Sequence, residues 1–491
     1  MSAEHNPFEV TFQSEAIAAG DLFLRRMHGV EELSRLFEFE LELQTDANGV
    51  LDLAAMDAML GAKTWISFGP EASFPRYGVL RELTLLSPGD RGPTVYRAAF
   101  VPRLWYATQN IGSYVFQDLS VPEIVKDVLT EIGFADGEDF ELRLTGAYPK
   151  REYTVQYQES DFDFLCRLLE HEGIFFFFTH DGADKVVFAD GNNAFHPLEG
   201  HDTIRFDPRE NSVDSGETVA ALSRVARAVQ QKVILKDYNY RTPSTPLRVE
   251  APVLPEGHGY HLWYGDHFKD NKQGQRYARV RAQELAQRRH VYPGVSRVRG
   301  FCGGTKFTLE GHTLTDMDAQ YVVTQVTHSV TQLRSTTDNR AGNQGYANTF
   351  EAIPAETAFR PARVTPRPRI FGIMQGRVDG PTGLGSSAPI DAFGRYKIEL
   401  PFDVSGETGG KASRWIRMAQ VASGSGYGMH FPLHIGTEVL LSHIDGDPDR
   451  PIIVGSVPNH ETLSPVTSNN PSQSAIRTRT GIVISFDDDS P

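Results

Sequence analysis

The chain has 491 residues, of which 40% are apolar, and a formal net charge of −15 at pH 7. Such a length indicates two to four domains, and the acidic charge disfavours general binding to nucleic acid. The start of the chain lacks the basic and apolar segments of a secretory signal, and no stretch approaches the ~20 apolar residues that cross a bilayer. We therefore expect a protein that folds in the cytosol and leaves the cell only through a dedicated machine.

The charge is unevenly distributed along the chain. Residues 1–365 carry a net charge of −13, whereas residues 366–460 hold nine basic and nine acidic residues. Residues 354–368 are rich in proline and lack apolar periodicity, which indicates an extended linker because proline has a fixed φ and no backbone donor. We therefore predict domains at 1–365 and 366–460, followed by a tail at 461–491.

Most of the first domain is predicted as short strands, because apolar and polar residues alternate between glycine, proline and aspartate turns. Three helices interrupt this pattern, at 120–133, 160–173 and about 271–289. Each of the first two begins at a serine that an acidic residue follows three positions later, and ends at a glycine. The aromatic strand Ile174–Phe178 comes directly after the second helix and is apolar on both faces.

The second domain contains five segments with the alternation of a strand. In one of them Tyr396, Ile398 and Leu400 point to one side and charged residues to the other. Five short antiparallel strands with glycine at the corners predict a closed barrel of the OB type. The five segments are 369–378, 394–402, 413–421, 438–444 and 451–457.

Two groups of polar residues resemble metal ligands. Asp445, Asp447 and Asp449 resemble the start of a calcium loop, but positions six and twelve hold arginine and serine where glycine and glutamate are needed. A turn between strands is therefore favoured. Three histidines lie close together in the sequence, but their spacing fits no known metal-binding pattern. The histidines, which we interpret as solvent or core residues, are His258, His261 and His267.

Other features with possible chemistry also have structural interpretations. Five carboxylates surround the second helix, and a pair of carboxylates can hydrolyse glycosidic bonds, but we interpret them as a solvated face that also compensates the helix dipole. The glycine-rich run at 424–436 lacks the ending of a phosphate-binding loop. Cys166 and Cys302 fit neither a disulfide framework nor a zinc pattern, so reduced structural thiols are expected. The five carboxylates are Glu159, Asp161, Asp163, Glu170 and Glu172.

No serine-elbow, HExxH or Cys/His nucleophile pattern is found in the sequence. We therefore predict no catalytic residue, no metal site and no cofactor.

Three long motifs, in the order found here, resemble VgrG-type spike proteins of bacterial type VI secretion systems. This family is related to the baseplate hub and central spike of contractile phage tails. The resemblance covers about residues 8–480, and its motifs are VPRLWYATQNIGSYVFQDLSVPEIVKDVL, ESDFDFLCRLLEHEGIFFFF and the OB-like stretch at 391–460. It implies a mainly β fold with inserted helices: a hub of two β-barrel-like units, then an OB-fold barrel, then the start of a triple-stranded β-helix needle in the tail.

The resemblance also implies function and partners. The protein would be a homotrimeric spike that caps a hexameric, Hcp-like tube, because two similar barrels per chain give six equivalent faces around the axis. Other implied partners are a tip-capping PAAR-like protein, baseplate proteins and secreted effectors, and no nucleic acid. The spike would assemble in the cytoplasm, be secreted or injected by the machine, and puncture the target envelope. Burial of the aromatic strand between subunits would make the trimer obligate.

Three alternatives remain open. The chain could be the tail spike of a phage or of an extracellular injection particle. A cell-wall hydrolase is less favoured: related phage spikes carry a lysozyme domain after the OB barrel, but the 31 residues after residue 460 are fewer than the ~50 of a small domain. A glycan-binding protein is the third alternative, because OB barrels bind oligosaccharides. We expect that the protein is not an enzyme. We also expect a needle that is either very short and completed by other subunits, or truncated.

Overall fold

The structure is a computed structural model that describes residues 9–46, 49–69, 73–87, 93–200, 202–209, 216–332, 345–381, 383 and 385–489. The chain divides into two compact units. Unit 1 comprises Met1–Asn110, Val121–Tyr148 and Asp161–Pro366, and unit 2 comprises Ile111–Ser120, Pro149–Ser160 and Arg367–Pro491. No helix in the described ranges is long and apolar enough to span a membrane.

The strands in chain order are β1 Val10–Ser14, β2 Phe23–Glu32, β3 Glu38–Gln44, β4 Thr64–Phe68, β5 Pro75–Ser87, β6 Val95–Val101, β7 Ile111–Phe116, β8 Phe140–Arg143, β9 Thr154–Ser160, β10 Phe175–His180, β11 Asp184–Ala189, β12 His196–Pro197, β13 Thr203–Phe206, β14 Thr218–Leu222, β15 Val225–Ala226, β16 Lys232–Asp237, β17 Leu247–Pro252, β18 Tyr260–Tyr264, β19 His290–Ser296, β20 Thr305–Glu310, β21 Gln320–Thr331, β22 Gly345–Pro354, β23 Ile373–Asp379, β24 Lys397–Glu399, β25 Arg417–Met418, β26 Ser423–Gly424, β27 Tyr427–Gly428, β28 Glu438–His443, β29 Pro451–Ser456, β30 Gln473–Arg477 and β31 Val483–Asp487. The α-helices are α1 Leu53–Met59, α2 Val121–Glu131, α3 Asp161–Glu172 and α4 Asn271–Ala286. The three predicted helices are thus present as α2, α3 and α4.

Six strands of unit 1 form a closed barrel. Their order is β21, β22, β19, β14, β13 and β20, and β20 pairs back with β21 to close the ring. Aromatic side chains fill the interior: the ring centroid of Phe301 lies 4.8 Å from that of Phe307 and 5.1 Å from that of Phe350. These residues belong to one buried cluster, so the alternation of apolar residues in the sequence corresponds to a packed barrel core.

A half-barrel continues the same sheet beyond β21, in the order β2, β3, β6, β5, β4 and β1. The side-chain amide of Gln332 lies between the last and the first strand of the half-barrel, β1 and β2. It accepts a hydrogen bond from the Val10 N–H at 2.8 Å, and it donates to the carbonyls of Val10 at 2.9 Å and Leu24 at 3.0 Å. One side chain therefore satisfies backbone groups that a further strand would otherwise pair. The prediction of two barrel-like units is confirmed.

The aromatic strand that follows α3 is β10. It pairs with β11, which also pairs with β8, and Phe175, Phe176 and Phe177 are buried within this single chain. Phe175 stacks on Phe195 with ring centroids 4.8 Å apart. The expectation that this strand forms the subunit interface is therefore wrong, because its two faces are already covered by the chain itself.

Unit 2 contains the predicted five-stranded barrel. The strand order is β24, β23, β28, β29 and β25, and a bridge between Tyr396 and Ile416 joins the two ends. Tyr396, Ile398 and Leu400 are buried in its core, as predicted. One detail differs: β25 runs parallel to β29, with Arg417 opposite Ile452. An all-antiparallel barrel is wrong at this pair, because strand direction cannot alternate all the way around a closed ring of five strands, and one pair must be parallel.

The antiparallel pair of β7 and β9 also belongs to unit 2, although both strands come far earlier in the sequence. Tyr153 and Val155 are buried in the same cluster as Ile398 of the barrel. The carboxylate of Asp449 accepts a hydrogen bond from the Val155 N–H at 2.7 Å. Unit 2 is therefore completed by two insertions that interrupt unit 1.

Candidate functional site

The aspartates of the predicted turn have structural roles within unit 2. Asp445 lies in a single 3-10 turn, Ile444–Gly446, between β28 and β29, and has a left-handed φ of 57°. Asp447 accepts a hydrogen bond from Arg367 at 3.1 Å, and Asp449 holds β9 as described above. The glycine-rich run 424–436 begins with the hairpin of β26 and β27, so its first glycines lie at a turn between two strands.

The three histidines do not come together. His258 is exposed in a loop, and His261 stacks on Trp263 with ring centroids 4.4 Å apart. His267 is half-buried and has a left-handed φ of 59°. Among the described residues, no group of three convergent ligand atoms combines two of these histidines.

The carboxylates around the second helix are not a solvated face. Asp161, Glu170 and Glu172 of α3 are buried, and only Asp163 is exposed; Glu159 is half-buried on β9 of unit 2. The solvated-face interpretation is therefore wrong for three of the five. Sequence periodicity could not show this, because the arginines that neutralise buried carboxylates lie far away along the chain.

Glu170 holds the segment by which the chain leaves unit 1. Its Oε2 accepts hydrogen bonds from the backbone N–H groups of Val364 and Thr365, both at 3.0 Å, and its Oε1 accepts from the Thr365 hydroxyl at 2.7 Å. We call residues 360–365 the exit strap. The strap lies within the segment predicted as an extended linker; it forms no helix or strand, and it is bound to unit 1.

Two arginines of the exit strap add further bonds. Arg360 donates to the carbonyls of Gly173 and Asp190 at 2.8 and 2.9 Å. Arg363 donates to the carboxylate of Asp266 at 2.7 Å. Asp266 is buried; desolvation would raise the pKa of this carboxyl, but Arg363 and then His171 hold it well below its usual range. The strap is thus fixed by buried charge at two points.

We expect Glu170→Ala to loosen the exit strap. The substitution removes three hydrogen bonds to a charged acceptor, and a single bond of that kind contributes about 1.5–3 kcal/mol. Trypsin cleavage after Arg363 should therefore become about 30–100-fold faster at neutral pH, whereas Arg360 precedes Pro361 and is not a trypsin site. The control is Asp163→Ala on the exposed side of α3, which should be cleaved at the wild-type rate; equal rates for all three proteins would contradict the role of Glu170.

A second buried polar cluster lies where the half-barrel meets the closed barrel. Arg76 of β5 donates from Nε to Glu31 Oε1 at 2.8 Å and from Nη2 to the Phe301 carbonyl at 3.0 Å. His328 of β21 lies with its Nε2 2.9 Å from the same Glu31 oxygen and its Nδ1 2.8 Å from the Tyr346 hydroxyl. Burial would raise the pKa of Glu31, but Arg76 and His328 lower it to about 2. The carboxylate is therefore ionised in the core.

Two further histidines, each half-buried, lie near this cluster. Burial and the positive charge of Arg76 lower the pKa of His180 to about 3 and that of His196 to about 4. His180 Nδ1 accepts a hydrogen bond from the Tyr77 N–H at 3.1 Å, and His196 Nε2 lies 3.5 Å from the sulfur of Cys302. Both cysteines are buried and unpaired, and burial raises their thiol pKa values, as expected of structural thiols.

Acid should destabilise unit 1 in two steps. Histidines of the unfolded chain bind protons below pH ~6.5, whereas the pKa values of His180 and His196 in the folded protein are about 3 and about 4. The free energy of unfolding therefore decreases as the pH is lowered below 6.5. Below about pH 4.5, Glu31 causes a second loss of stability. Its carboxylate has a pKa of about 2 in the folded protein, whereas in the unfolded chain it binds a proton near pH 4.5. We expect urea titrations to give an unfolding free energy lower by about 2–5 kcal/mol at pH 4.5 than at pH 7.5.

The variant His180→Asn retains an acceptor for Tyr77 but cannot titrate, so its stability should depend less steeply on pH between 6.5 and 4.5. Exposed His258→Asn is the matched control and should leave the slope unchanged. Equal unfolding free energies of the wild type at pH 7.5 and 4.5 would refute this assignment.

The hairpin of β30 and β31, which we call the C-terminal hairpin, has one uncovered apolar face. Its register pairs Ile476 with Ile484 and Ser474 with Phe486, so these side chains share a face. Ile476, Ile484 and Phe486 are 45%, 55% and 68% exposed. The opposite face carries polar residues, including Ser485. An isolated two-stranded hairpin is marginal in water, and an exposed apolar face of this kind marks an interface.

The folds described above define a class of protein. Residues 30–333 match the family of the phage tail baseplate hub (GPD), and residues 391–457 match the type VI secretion system/phage-baseplate injector OB domain. A barrel pair followed by an OB barrel is thus a phage-tail-like hub joined to an injector domain.

Individual relatives are spike proteins. The type VI secretion system spike protein VgrG1c of Pseudomonas aeruginosa is 32% identical over 473 residues, which cover 93% of this chain and 63% of that protein. VgrG1a of the same organism, also a type VI secretion system spike protein, is 32% identical over 477 residues, covering 93% of this chain and 71% of that protein. The chain belongs to the VgrG spike family of type VI secretion systems. It spans less than two thirds of the length of VgrG1c.

Two further comparisons extend this result. A Vibrio cholerae relative named actin cross-linking toxin VgrG1 is 29% identical over 96% of this chain, which corresponds to 43% of that protein. Among solved structures, the E. coli c3393 protein is described as a component of the type VI secretion system that is similar to the T4 tail proteins gp27 and gp5. It superposes with a TM-score of 0.66 at 23% identity, covering 91% of this chain and all of that one, and so shares the fold.

Proposed function

We propose that the chain acts as the homotrimeric spike of a contractile injection machine of the type VI class. In this role it caps the hexameric inner tube, adapts sixfold to threefold symmetry, and carries effectors through the target envelope. The observation that supports the trimer is the C-terminal hairpin, whose apolar face is left exposed by the described residues of its own chain. Three such faces can bury one another around a threefold axis and begin a triple-stranded needle.

The sixfold adaptation rests on unit 1. It contains a closed barrel and a half-barrel that share one continuous sheet, so three chains would present six barrel-like bodies to an Hcp-like tube. Within this proposal the hub, the OB domain and the needle start occupy 1–365, 366–460 and 461–491. A PAAR-like tip protein, baseplate proteins and secreted effectors are its further partners, and the assembled spike leaves the cytoplasm through the machine.

We also propose that the described chain has a mechanical and not an enzymatic role. The candidate carboxylates support this, because Glu170 and Glu172 of α3 are buried in contact with the exit strap and with Arg276. A free catalytic pair would have to face a substrate cleft. Absence of cell-wall clearing by the pure protein agrees with this assignment, and clearing would overturn it.

Light scattering of the full chain at micromolar concentration tests the proposed assembly. The expected mass is three times that of one chain, and it should persist on dilution to nanomolar concentration. Monomer alone at all concentrations would contradict the trimer. Electron microscopy of the chain mixed with the hexameric tube protein of its own system should then show a cap at one tube end.

A further inference from the structure

One basic surface of unit 1 has no role in the hub described so far. Arg224, Arg227 and Arg289, which we call the arginine cluster, are all exposed, in a chain whose net charge is −15. The ladder of β15 and β19 ends at the pair Ala226 and His290. One residue beyond it the Arg227 N–H donates to the Arg289 carbonyl at 2.8 Å, so the two arginines continue the pairing across from each other. Like charges directly opposite each other destabilise a strand pair, so folding alone does not account for this placement.

The arginine cluster is also not neutralised within the described chain. None of its three guanidinium groups forms an ion pair with a described acidic residue, and nearby Glu284 already pairs with Arg281 and Arg288. Two exposed arginines elsewhere in unit 1 differ in this respect. Arg209, for example, pairs with Asp207 at 2.9 Å, and Arg143 pairs with Glu141 at 2.9 Å.

A pocket of about 220 Å³ adjoins the cluster. Arg289 and His290 form one wall, Gln287 and Thr357 add polar groups, and the apolar side is formed by Val229, Val253 and Leu254. Arg224 reaches the same wall, since its Nη2 lies 3.0 Å from His290 Nε2. Burial, Arg224 and Arg289 together lower the pKa of His290, which agrees with a positive local potential. The volume admits one or two side chains.

We infer that the arginine cluster and this pocket form a docking site for an acidic peptide segment of a partner protein. Arginine pairs with carboxylates through two parallel hydrogen bonds, which gives geometric specificity, and Arg227 and Arg289 lie close enough to bind one or two such groups. An apolar side chain beside the carboxylate fits the valine and leucine side of the pocket. The segment is protein and not nucleic acid, because the apolar side of the pocket fits an aliphatic side chain next to the carboxylate, whereas a nucleic acid backbone presents phosphates without one.

Fluorescence anisotropy with the full chain tests this site. The probe is a fluorescein-labelled nonapeptide that repeats Glu-Leu-Asp three times. The wild type should bind it saturably in 50 mM NaCl and at least 10-fold more weakly in 300 mM NaCl, because exposed charge pairs are screened by salt. Arg227→Ala/Arg289→Ala should weaken binding at least 10-fold. Exposed but ion-paired Arg209→Ala is the matched control and should bind as the wild type does.

Three results would overturn the inference: no saturable binding by the wild type up to millimolar peptide, equal affinity of the wild type and the double variant, or tighter binding of single-stranded DNA than of the peptide. Circular dichroism of the double variant confirms its fold; because both side chains are exposed, we expect an unchanged spectrum. The result does not depend on the proposed trimer, because binding of the probe is compared between variants of one oligomeric state, which light scattering reports separately.

Discussion

Replacement of Ile484 by lysine is expected to dissociate the proposed trimer into monomers at micromolar concentration. Ile484 lies in the middle of the apolar face of the C-terminal hairpin and is 55% exposed in one chain. Burial of an isoleucine stabilises by about 1.5–3 kcal/mol, and each of three chains would lose this and enclose an ammonium group instead. Light scattering of the wild type and Ile484→Lys over a dilution series measures the effect.

The control for this experiment is the next residue along the same strand. Ser485 lies on the polar face of the hairpin, opposite Ala475. Ser485→Lys therefore introduces the same charge one residue further along the same strand, but on the other face. This variant should remain a trimer at the concentrations where Ile484→Lys is monomeric. Equal dissociation of both variants, or of neither, would show that the apolar face is not the contact between chains.

The second large effect concerns the buried cluster between the two barrels. Arg76→Met should destabilise unit 1 by about 3–5 kcal/mol, because Glu31 would remain in the core as a buried charge without its main partner. The side chains of Arg76 and Glu31 are only 5% and 6% exposed, so water cannot replace the lost guanidinium. Urea unfolding monitored by tryptophan fluorescence at pH 7.5 gives the difference in free energy.

Arg81→Met provides the comparison, since Arg81 lies on the same strand and also pairs with a glutamate, Glu38, but in an exposed position. Exposed ion pairs contribute about 0–1 kcal/mol, so this variant should be close to the wild type. The double variant Glu31→Gln/Arg76→Met removes both charges and should recover part of the stability. If Arg76→Met cost no more than Arg81→Met, the buried cluster would not stabilise the junction of the barrels.

Local patterns were sufficient for most of the fold. Alternating residues predicted the core-facing side of β24, and the serine and glycine signals predicted α2 and α3, because these features depend on neighbours within one turn or strand. The three long motifs indicated the family, since each combines a helix or barrel with its flanking strands. Helices, strands and such motifs are therefore the features that can be read directly from the sequence.

Features that depend on distant partners were missed. Glu170 looked like a solvated residue until the exit strap, nearly 200 positions later, placed Val364 and Thr365 on its carboxylate. The aromatic strand β10 looked like an interface because its sequence shows that it is apolar on both faces but not what covers it. Placing β7 and β9 in unit 2 likewise required the buried contacts of Val155.

The contribution of β7 and β9 to unit 2 has a mechanical consequence. The chain passes between the two units five times, near residues 110, 120, 148, 160 and 366. The units are therefore joined by five covalent connections and not by a single linker. A force applied to unit 2 is shared among these connections. A fragment that begins at residue 367 would also lack Tyr153 and Val155 of its own core. Cleavage at this one connection would therefore not release an intact barrel.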